Sequence, residues 1–464
     1  MNLKIKDFNE INGTVKAPPS KSYSHRAVIL ASLANGTSKL YDVLYSEDVL
    51  ASIRACEALG AVITKKKEII LKGGKSVKMD YLEVQGTGGK LHNNSPNPSE
   101  DMIDLANSGT TLRIMTSLAA LSDNEVVFTG DDSLKTRPMG ALLDALEPLG
   151  VKTVSMHDND KAPIKIMPGY HGGESEILGS ISSQFISSIL ISAPLTEKGV
   201  FLEVFPQFVS KPYVDMTISI MKTFGVGVDE EETGLHDVCT SCEERCLGMD
   251  YSVSPQRYMS CDYVVEGDYS SASYLLAAAA IAGGEIRVQN LFKDSKQGDK
   301  LIIDILKDMG VDITVFNDYL IVKSDGNLKA VSEVDLSNAP DLLLTVAVLA
   351  ACACGDTKIT GVHHARLKET DRIDTTCREL EKLGCVLEEN DDGMIIKGNT
   401  IHGGTVSSHN DHRLAMAFSL LGLKHDVEVE DGECFDVSFP NFIEAMAEIG
   451  VELVLDSRIT ENFY

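Results

Sequence analysis

Residues 58–63 read ALGAVI: a helical stretch that stops on a glycine and passes at once into an aliphatic strand. Glycine just past the last helical residue supplies the left-handed backbone that closes a helix, and the side chains after it favour a strand. The same junction returns as PLGVKT at 148–153, TFGVGV at 223–228, DMGVDI at 308–313, KLGCVL at 383–388 and EIGVEL at 448–453. The intervals between these glycines run from 66 residues (384 to 450) to 90 (60 to 150). One such junction is ordinary in an α/β chain, but six along the whole length mark a repeated unit.

A second series interleaves with the first. SKSYSHRAVILASLA from Ser20, NSGTTLRIMTSLAAL from Asn107, SSQFISSILISAPL from Ser182, DYSSASYLLAAAAIA from Asp268, PDLLLTVAVLAACA from Pro340 and NDHRLAMAFSLLGL from Asn410 all begin polar and then turn apolar on every face. Helices of that kind belong inside a core, whereas the glycine-terminated helices are amphipathic and belong outside. The expected architecture is therefore α/β, six units with one buried and one outer helix each, grouped as two lobes of three. Crossings near Pro19 and Glu266–Gly267 assign 1–20 with 266–464 to one lobe and 21–265 to the other. The stretch 229–255, acidic and cysteine-containing, reads as an irregular insertion.

At 464 residues the chain exceeds a single core. A hydrophobic content of 43% and a charged content of 24% fit a globular protein. The start MNLKIKDFNE lacks the apolar stretch of a signal peptide, and the longest apolar runs, Tyr274–Ala282 and Leu342–Cys354, are too short to span a bilayer. The expected location is the cytosol, with no membrane partner. A net charge of −27 argues against nucleic acid, while leaving room for a small anionic ligand in a local basic knot. The ten cysteines read as reduced thiols. Cys239, Cys242, Cys246 and Cys261 match no zinc template, so no metal is expected.

The basic knot announces itself in PPSKSYSHRAVILASLA, residues 18–34. Lys21, His25 and Arg26 occupy the first turns of a helix whose dipole already makes that end positive; such an arrangement suits a bound phosphate or carboxylate. The outer helices repeat the oddity at Arg137-Pro138, Ser210-Lys211-Pro212, Ser295-Lys296, KETDR (368–372) and SFP (438–440), where serine should cap and proline should open the helix. With three helices per lobe running the same way, their starts face one inter-lobe cleft. Lys21, Arg26, Arg113, Arg137, Lys211, Lys368, Arg372 and Arg413 would line it, with Ser22, Ser182, Ser183, Ser210 and Gln184 as donors. Arg113 and Lys211 stand equally well as exposed surface charges. Glu369 and Asp341 are the carboxylates among these bases, and cations hold a neighbouring carboxylate ionised and able to accept a proton. Asp341 competes with a plainer role as a helix N-cap.

Taken together, PPSKSYSHR, NSGTTLR, TRPM, SSQF, SKPY, EGDYSSASY, RLKETDR, NDHR and SFPNF, in this order and spacing, resemble the 3-phosphoshikimate 1-carboxyvinyltransferase (EPSP synthase) family over practically the whole chain. The resemblance implies two lobes of three βαβαββ units with buried parallel helices and an active site between the lobes. It also implies transfer of the enolpyruvyl group of phosphoenolpyruvate to the 5-hydroxyl of shikimate 3-phosphate through a tetrahedral intermediate, in a monomer without cofactor or metal. Shikimate 3-phosphate would be held by Lys21, Ser22, Arg26, Ser182, Ser183, Gln184, Ser210, Asp341, His364 and Lys368. Phosphoenolpyruvate would be held by Lys21, Asn107, Gly109, Arg137, Gln184, Arg372 and Arg413. By the same resemblance Asp341 takes the hydroxyl proton, and Glu369 works at C3 with Lys21. The family often has a lysine where Val437 stands and an asparagine where His364 stands. Two alternatives are weighed against this reading. One is an enolpyruvyl transferase for UDP-N-acetylglucosamine, whose cysteine before the Arg-Pro pair is missing from GDDSLKTRPM. The other is a non-catalytic anion-binding scaffold, which would have no use for Glu369 among cations.

Overall fold

A computed structural model of the chain describes residues 1–8, 10–72, 75–97, 101–206, 208–233 and 248–456. Cys239, Cys242 and Cys246 lie outside the described residues. The chain divides into two compact units, Pro19–Val265 and Met1–Pro18 with Glu266–Tyr464.

The Pro19–Val265 unit carries α1 (Lys21–Leu33), α2 (Glu47–Ala58), α3 (Gly109–Ala119), α4 (Gly140–Leu146), α5 (Ser183–Ser192) and α6 (Lys211–Thr223). Its middle repeat shows the pattern in full. Strand Met102–Asp104 leads through α3 to the parallel strand Val126–Thr129, then through α4 to the antiparallel hairpin Lys152–Ser155 and Ile164–Met167. This is a βαβαββ unit whose four strands make one sheet with one parallel and two antiparallel pairings. Two further sheets of the unit have the same order, one of them closed by Tyr263–Val264 pairing parallel to Thr37–Tyr41.

The second unit carries α7 (Tyr269–Ala282), α8 (Ile302–Asp308), α9 (Leu343–Cys352), α10 (Arg372–Lys382), α11 (His412–Ser419) and α12 (Phe442–Glu448), again with three such sheets. The N-terminal strands complete two of them: Asn2–Phe8 lies between Val427–Glu430 and Val451–Asp456, and Ile11–Lys16 pairs parallel to Gly284–Gln289.

Every residue of α9 and α11 is buried, as is α7 from Tyr269 to Ile281 and α1 from Tyr23 to Leu33. All-apolar helices find their burial here, ringed by the amphipathic helices and the sheets, and each unit has its own hydrophobic core. The six repeat glycines all adopt positive φ, from +80° at Gly384 to +104° at Gly60. After five of them the next residue donates its N–H to the carbonyl five positions back, as in Val311 to Leu306 (2.9 Å) and Val226 to Met221 (3.0 Å). This is the 6→1 bond of the Schellman motif, and it satisfies carbonyls the helix end leaves open.

Some local expectations are corrected. The stretch 229–255 is not irregular throughout: Asp229–Thr233 and Gly248–Val253 pair antiparallel as part of the third sheet. Met249, Tyr251 and Val253 point inward, whereas DEEET is an edge strand with Asp229 to Glu232 exposed, so no alternation betrays it. Ser210 does not cap α6 through its side chain; its backbone sits in the left-handed region at φ +57°. α8 begins at Ile302, downstream of Ser295, because a 3-10 turn at Gly298–Leu301 intervenes, and α12 begins at Phe442 with Asn441 rather than Ser438 at its cap position. Among the described residues no helix is long and apolar enough to cross a membrane, and no group of His, Cys, Asp or Glu is arranged to hold a metal ion.

Candidate active site

Each unit gathers the starts of several helices, and each gathering holds residues singled out by the sequence. In the Pro19–Val265 unit Lys21 opens α1 behind the cap Ser20, and its ammonium meets Asp48 Oδ2 at 3.0 Å on α2. One turn further along both helices, His25 Nδ1 lies 2.8 Å from Ser52 Oγ. Ser52 continues to Thr111 Oγ1 (2.7 Å), which meets Ser108 Oγ (2.7 Å), the N-cap of α3. A buried chain of side chains thus connects the Lys21 end of α1 with NSGTT. Burial, with Lys21 and Arg26 adding to it, holds the His25 imidazole well below its ordinary pKa, so it is neutral.

At the start of α3, Asn107, Gly109 and Arg137 come together. Arg137 donates to Asn107 Oδ1, whose amide donates in turn to Asp131 Oδ2 at 2.8 Å. A Cβ on Gly109 would lie 2.7 Å from Arg137 NH1, so glycine leaves the guanidinium room against the helix end. A helix start beside an arginine makes an anion site; here the Gly109 N–H donates to the Asn107 carbonyl at 3.0 Å and the Thr111 N–H to Ser108 Oγ at 3.3 Å. Gln184, in the first turn of α5, reaches the same place: it accepts from Arg113 NH1 (2.5 Å) and donates to Thr110 Oγ1 (3.0 Å). Ser182 caps α5 by accepting from the Gln184 N–H at 3.3 Å, with Ser183 buried behind it.

Arg26 is engaged inside the fold. It donates to Thr217 Oγ1 (2.7 Å), Ser187 Oγ (3.4 Å) and the carbonyls of Ser22 (3.0 Å) and Tyr213 (3.1 Å), tying the starts of α1, α5 and α6 together. Burial pushes its pKa down to about 10, which still leaves it charged at neutral pH. Lys211 pairs with Asp215 one turn on at 2.7 Å, the bond of a partly exposed helix face.

The second unit brings together Asp341, His364, Lys368, Glu369, Arg372 and Arg413. Asp341 does not cap a helix with its carboxylate. It sits in the 3-10 turn Pro340–Leu342 before α9, where Oδ1 accepts from Arg372 NH1 (3.2 Å) and Oδ2 from Arg413 NH2 (3.0 Å), with Lys368 Nζ 4.0 Å away. Arg372 also donates to Glu369 Oε2 (2.7 Å), and Arg413 to Ser270 Oγ at the start of α7. Behind them Asp411, fully buried, caps α11 through the Arg413 N–H (2.9 Å) and holds Arg372 through Nε (2.8 Å) and NH2 (3.2 Å). Burial raises the Asp411 pKa, but the guanidinium of Arg372 overrides it, and the net shift is downward. Burial likewise opposes the charge on Arg372, and Asp411, Glu369 and Asp341 outweigh it. Burial, reinforced by Lys368, lowers the His364 pKa to about 4, leaving it neutral. Three carboxylates therefore balance three cations.

Asp411 stands in NDHR just before an apolar helix, which is a cap signal, but its hold on Arg372 leaves no mark in the sequence. Asp48 gave no signal at all, because its partner lies in another helix.

The EPSP synthase (3-phosphoshikimate 1-carboxyvinyltransferase) family model matches residues 5–446. The 3-phosphoshikimate 1-carboxyvinyltransferase of Methanobrevibacter smithii is 64% identical over 455 residues, covering 98% of this chain and 100% of that protein. Its counterpart from Methanothermobacter thermautotrophicus is 50% identical with the same coverage. A solved EPSP synthase from Acinetobacter baumannii aligns with a TM-score of 0.77 at 26% identity, over 98% of this chain and 99% of that one.

Proposed function

Because the chain belongs to the EPSP synthase family, we propose that the two constellations described above act on one pair of substrates. The enzyme transfers the carboxyvinyl group of phosphoenolpyruvate to the 5-hydroxyl of shikimate 3-phosphate and releases phosphate, a step of aromatic amino acid biosynthesis. The family description and the names of the relatives favour this over a UDP-N-acetylglucosamine transferase.

The observation that carries the assignment of residues is Asp341 bridging Arg372 and Arg413. Two guanidinium groups converging on one carboxylate form a fork into which the carboxylate of phosphoenolpyruvate fits. Once the substrate takes the fork, its negative charge competes with Asp341 and Glu369 for Arg372 and Arg413, which raises the proton affinity of both carboxylates. Asp341 then accepts the proton of the 5-hydroxyl as that oxygen bonds to C2, while Glu369, which takes up a proton from solvent as its proton affinity rises, delivers it to C3 with the help of Lys21. The tetrahedral intermediate breaks its C2–O bond to phosphate, C3 returns its proton to Glu369 to restore the double bond, and the proton held by Asp341 leaves with the phosphate. Arg137, Lys21 and the Gly109 N–H receive the departing phosphate, with Asn107 and Gln184 shaping the loop around it. Lys21, Ser22, Ser182, Ser183, Gln184, Ser210, His364 and Lys368 hold shikimate 3-phosphate, Arg26 contributing its charge from behind. Fixed donors of this kind stabilise developing charge without reorganising. The monomeric state and cytoplasmic setting expected from the sequence belong to the same proposal.

Phosphate release, measured with phosphoenolpyruvate plus shikimate 3-phosphate and again with UDP-N-acetylglucosamine, tests the reading. Turnover with the first pair and none with the second is expected; a folded protein silent with both would leave a binding scaffold.

A further inference from the structure

Lys368 and Glu369 lie in a segment with no regular structure, between the 3-10 turn His363–Leu367 and the first residue of α10. The segment has neither helix nor strand to fix its shape, yet it presents one substrate-holding group and one reacting group. Arg366, just ahead of it, supplies what the backbone lacks. Its NH1 donates to both oxygens of Asp371, at 3.2 and 2.9 Å. Its NH2 donates to Glu389 Oε1 and the Asn390 carbonyl, both at 2.8 Å, and its Nε to the Asp391 carbonyl at 3.1 Å. All three nitrogens of the guanidinium are thus engaged, with the NH1 bond bifurcated over one carboxylate.

The geometry is that of a staple. Asp371 is the N-cap of α10, accepting from the Asp374 N–H at 3.1 Å, so the Arg366–Asp371 pair joins the two ends of the Leu367–Thr370 segment. The other arms fasten that closed ring to the hairpin Val386–Asn390 and Gly393–Lys397. The hairpin turn reinforces the grip from its own side: Asp392 accepts from the N–H groups of Gly361 (2.9 Å) and His363 (2.8 Å). The hairpin is itself seated firmly, since a Cβ on Gly393 would fall 1.9 Å from the Ile359 carbonyl oxygen.

We propose that Arg366 is a positioning residue for carboxyvinyl transfer, fixing the segment that presents Lys368 and Glu369 without touching either substrate. The inference rests on the function proposed above. An ammonium is a single point charge and cannot reach Asp371, Glu389 and the Asn390 and Asp391 carbonyls at once as the guanidinium fork does, so lysine is not an adequate substitute.

The test compares Arg366→Lys, Arg366→Ala and Asp371→Asn with the parent enzyme. Asparagine caps a helix about as well as aspartate, so the third variant keeps α10 closed while weakening the staple. Both Arg366 variants should lower kcat by about 10²-fold, the effect of an ångström-scale misplacement of reacting groups, with KM for phosphoenolpyruvate moved far less, because Arg372 and Arg413 stay in place. Asp371→Asn should fall between. Amide hydrogen exchange over 367–371 should accelerate in all three at temperatures where the rest of the chain stays protected. A residue that only stabilises the fold would lower Tm and leave kcat per folded molecule unchanged; that result, or unchanged exchange over 367–371, overturns the proposal. If Arg366→Ala fails to fold, the other two variants decide. A parent enzyme without turnover would refute the functional reading instead, and the exchange comparison would still decide the staple.

Discussion

Arg372 and Asp411 are joined by two hydrogen bonds, 2.8 and 3.2 Å long, in a place almost closed to solvent. The pair sets the height and tilt of the guanidinium that also reaches Asp341 and Glu369. Breaking a buried pair from one side leaves a charge without compensation and typically costs about 3–5 kcal/mol. Asp411→Ala should therefore lower Tm sharply, as read by calorimetry. Asp411→Asn keeps a capping oxygen for α11 and should lose less stability while still raising KM for phosphoenolpyruvate. Equal affinity in the asparagine variant would show that the clamp does not orient Arg372.

Asp341 separates a base from a cap. Asp341→Asn preserves shape and removes the basic oxygen, so kcat should fall by roughly 10²–10⁴, the range for loss of a general base. A steady-state rate close to that of the parent would remove Asp341 from the chemistry.

Gly109 presses on a flexible neighbour. The atom nearest its missing Cβ is the far end of Arg137, so Gly109→Ala should displace the guanidinium rather than disrupt α3. Weaker phosphoenolpyruvate binding with an unchanged melting temperature is the expected outcome in paired titration and thermal scans. A drop in Tm with unchanged KM would contradict it.

His364 gives the protein a signed response to pH. Its folded pKa is about 4, against an ordinary value of 6.5. Between these values the unfolded chain takes up a proton that the folded one refuses. The stabilisation from the neutral ring is complete above pH 6.5 and is lost as pH falls toward 4. His364→Asn should flatten the decline of Tm over that window, and parallel curves for variant and parent would refute the assignment.

Much of the architecture could be read before any coordinates because its punctuation is chemical. A glycine at positive φ with a 6→1 bond behind it is a local event, and it left the same mark at Gly60 and Gly310. Helices apolar on every face could go nowhere but inside. Asp341 and Arg413 were legible because charge at the head of a buried helix is costly unless it is used or paired, and Glu369 and Arg372 because they crowd with other charges at the head of an outer one. What stayed hidden depended on partners distant in sequence. Lys21 announced an anion, but nothing announced that Asp48 would meet it. Arg26 was legible as a cation at a helix start, but nothing announced that its donors would engage Thr217, Ser187 and two carbonyls. The strand Asp229–Thr233 escaped notice because exposed edge residues need not alternate.

The placing of Asn2–Phe8 imposes an order of events on biosynthesis. As the ribosome releases the chain, Pro19–Val265 emerges as one uninterrupted piece and can close its three sheets without waiting. The strand Asn2–Phe8 cannot, because both its neighbours, Val427–Glu430 and Val451–Asp456, follow it only after the whole of the other unit. It must stay unpaired until those segments emerge, and a nascent chain cut short before residue 427 leaves an orphan edge open to aggregation.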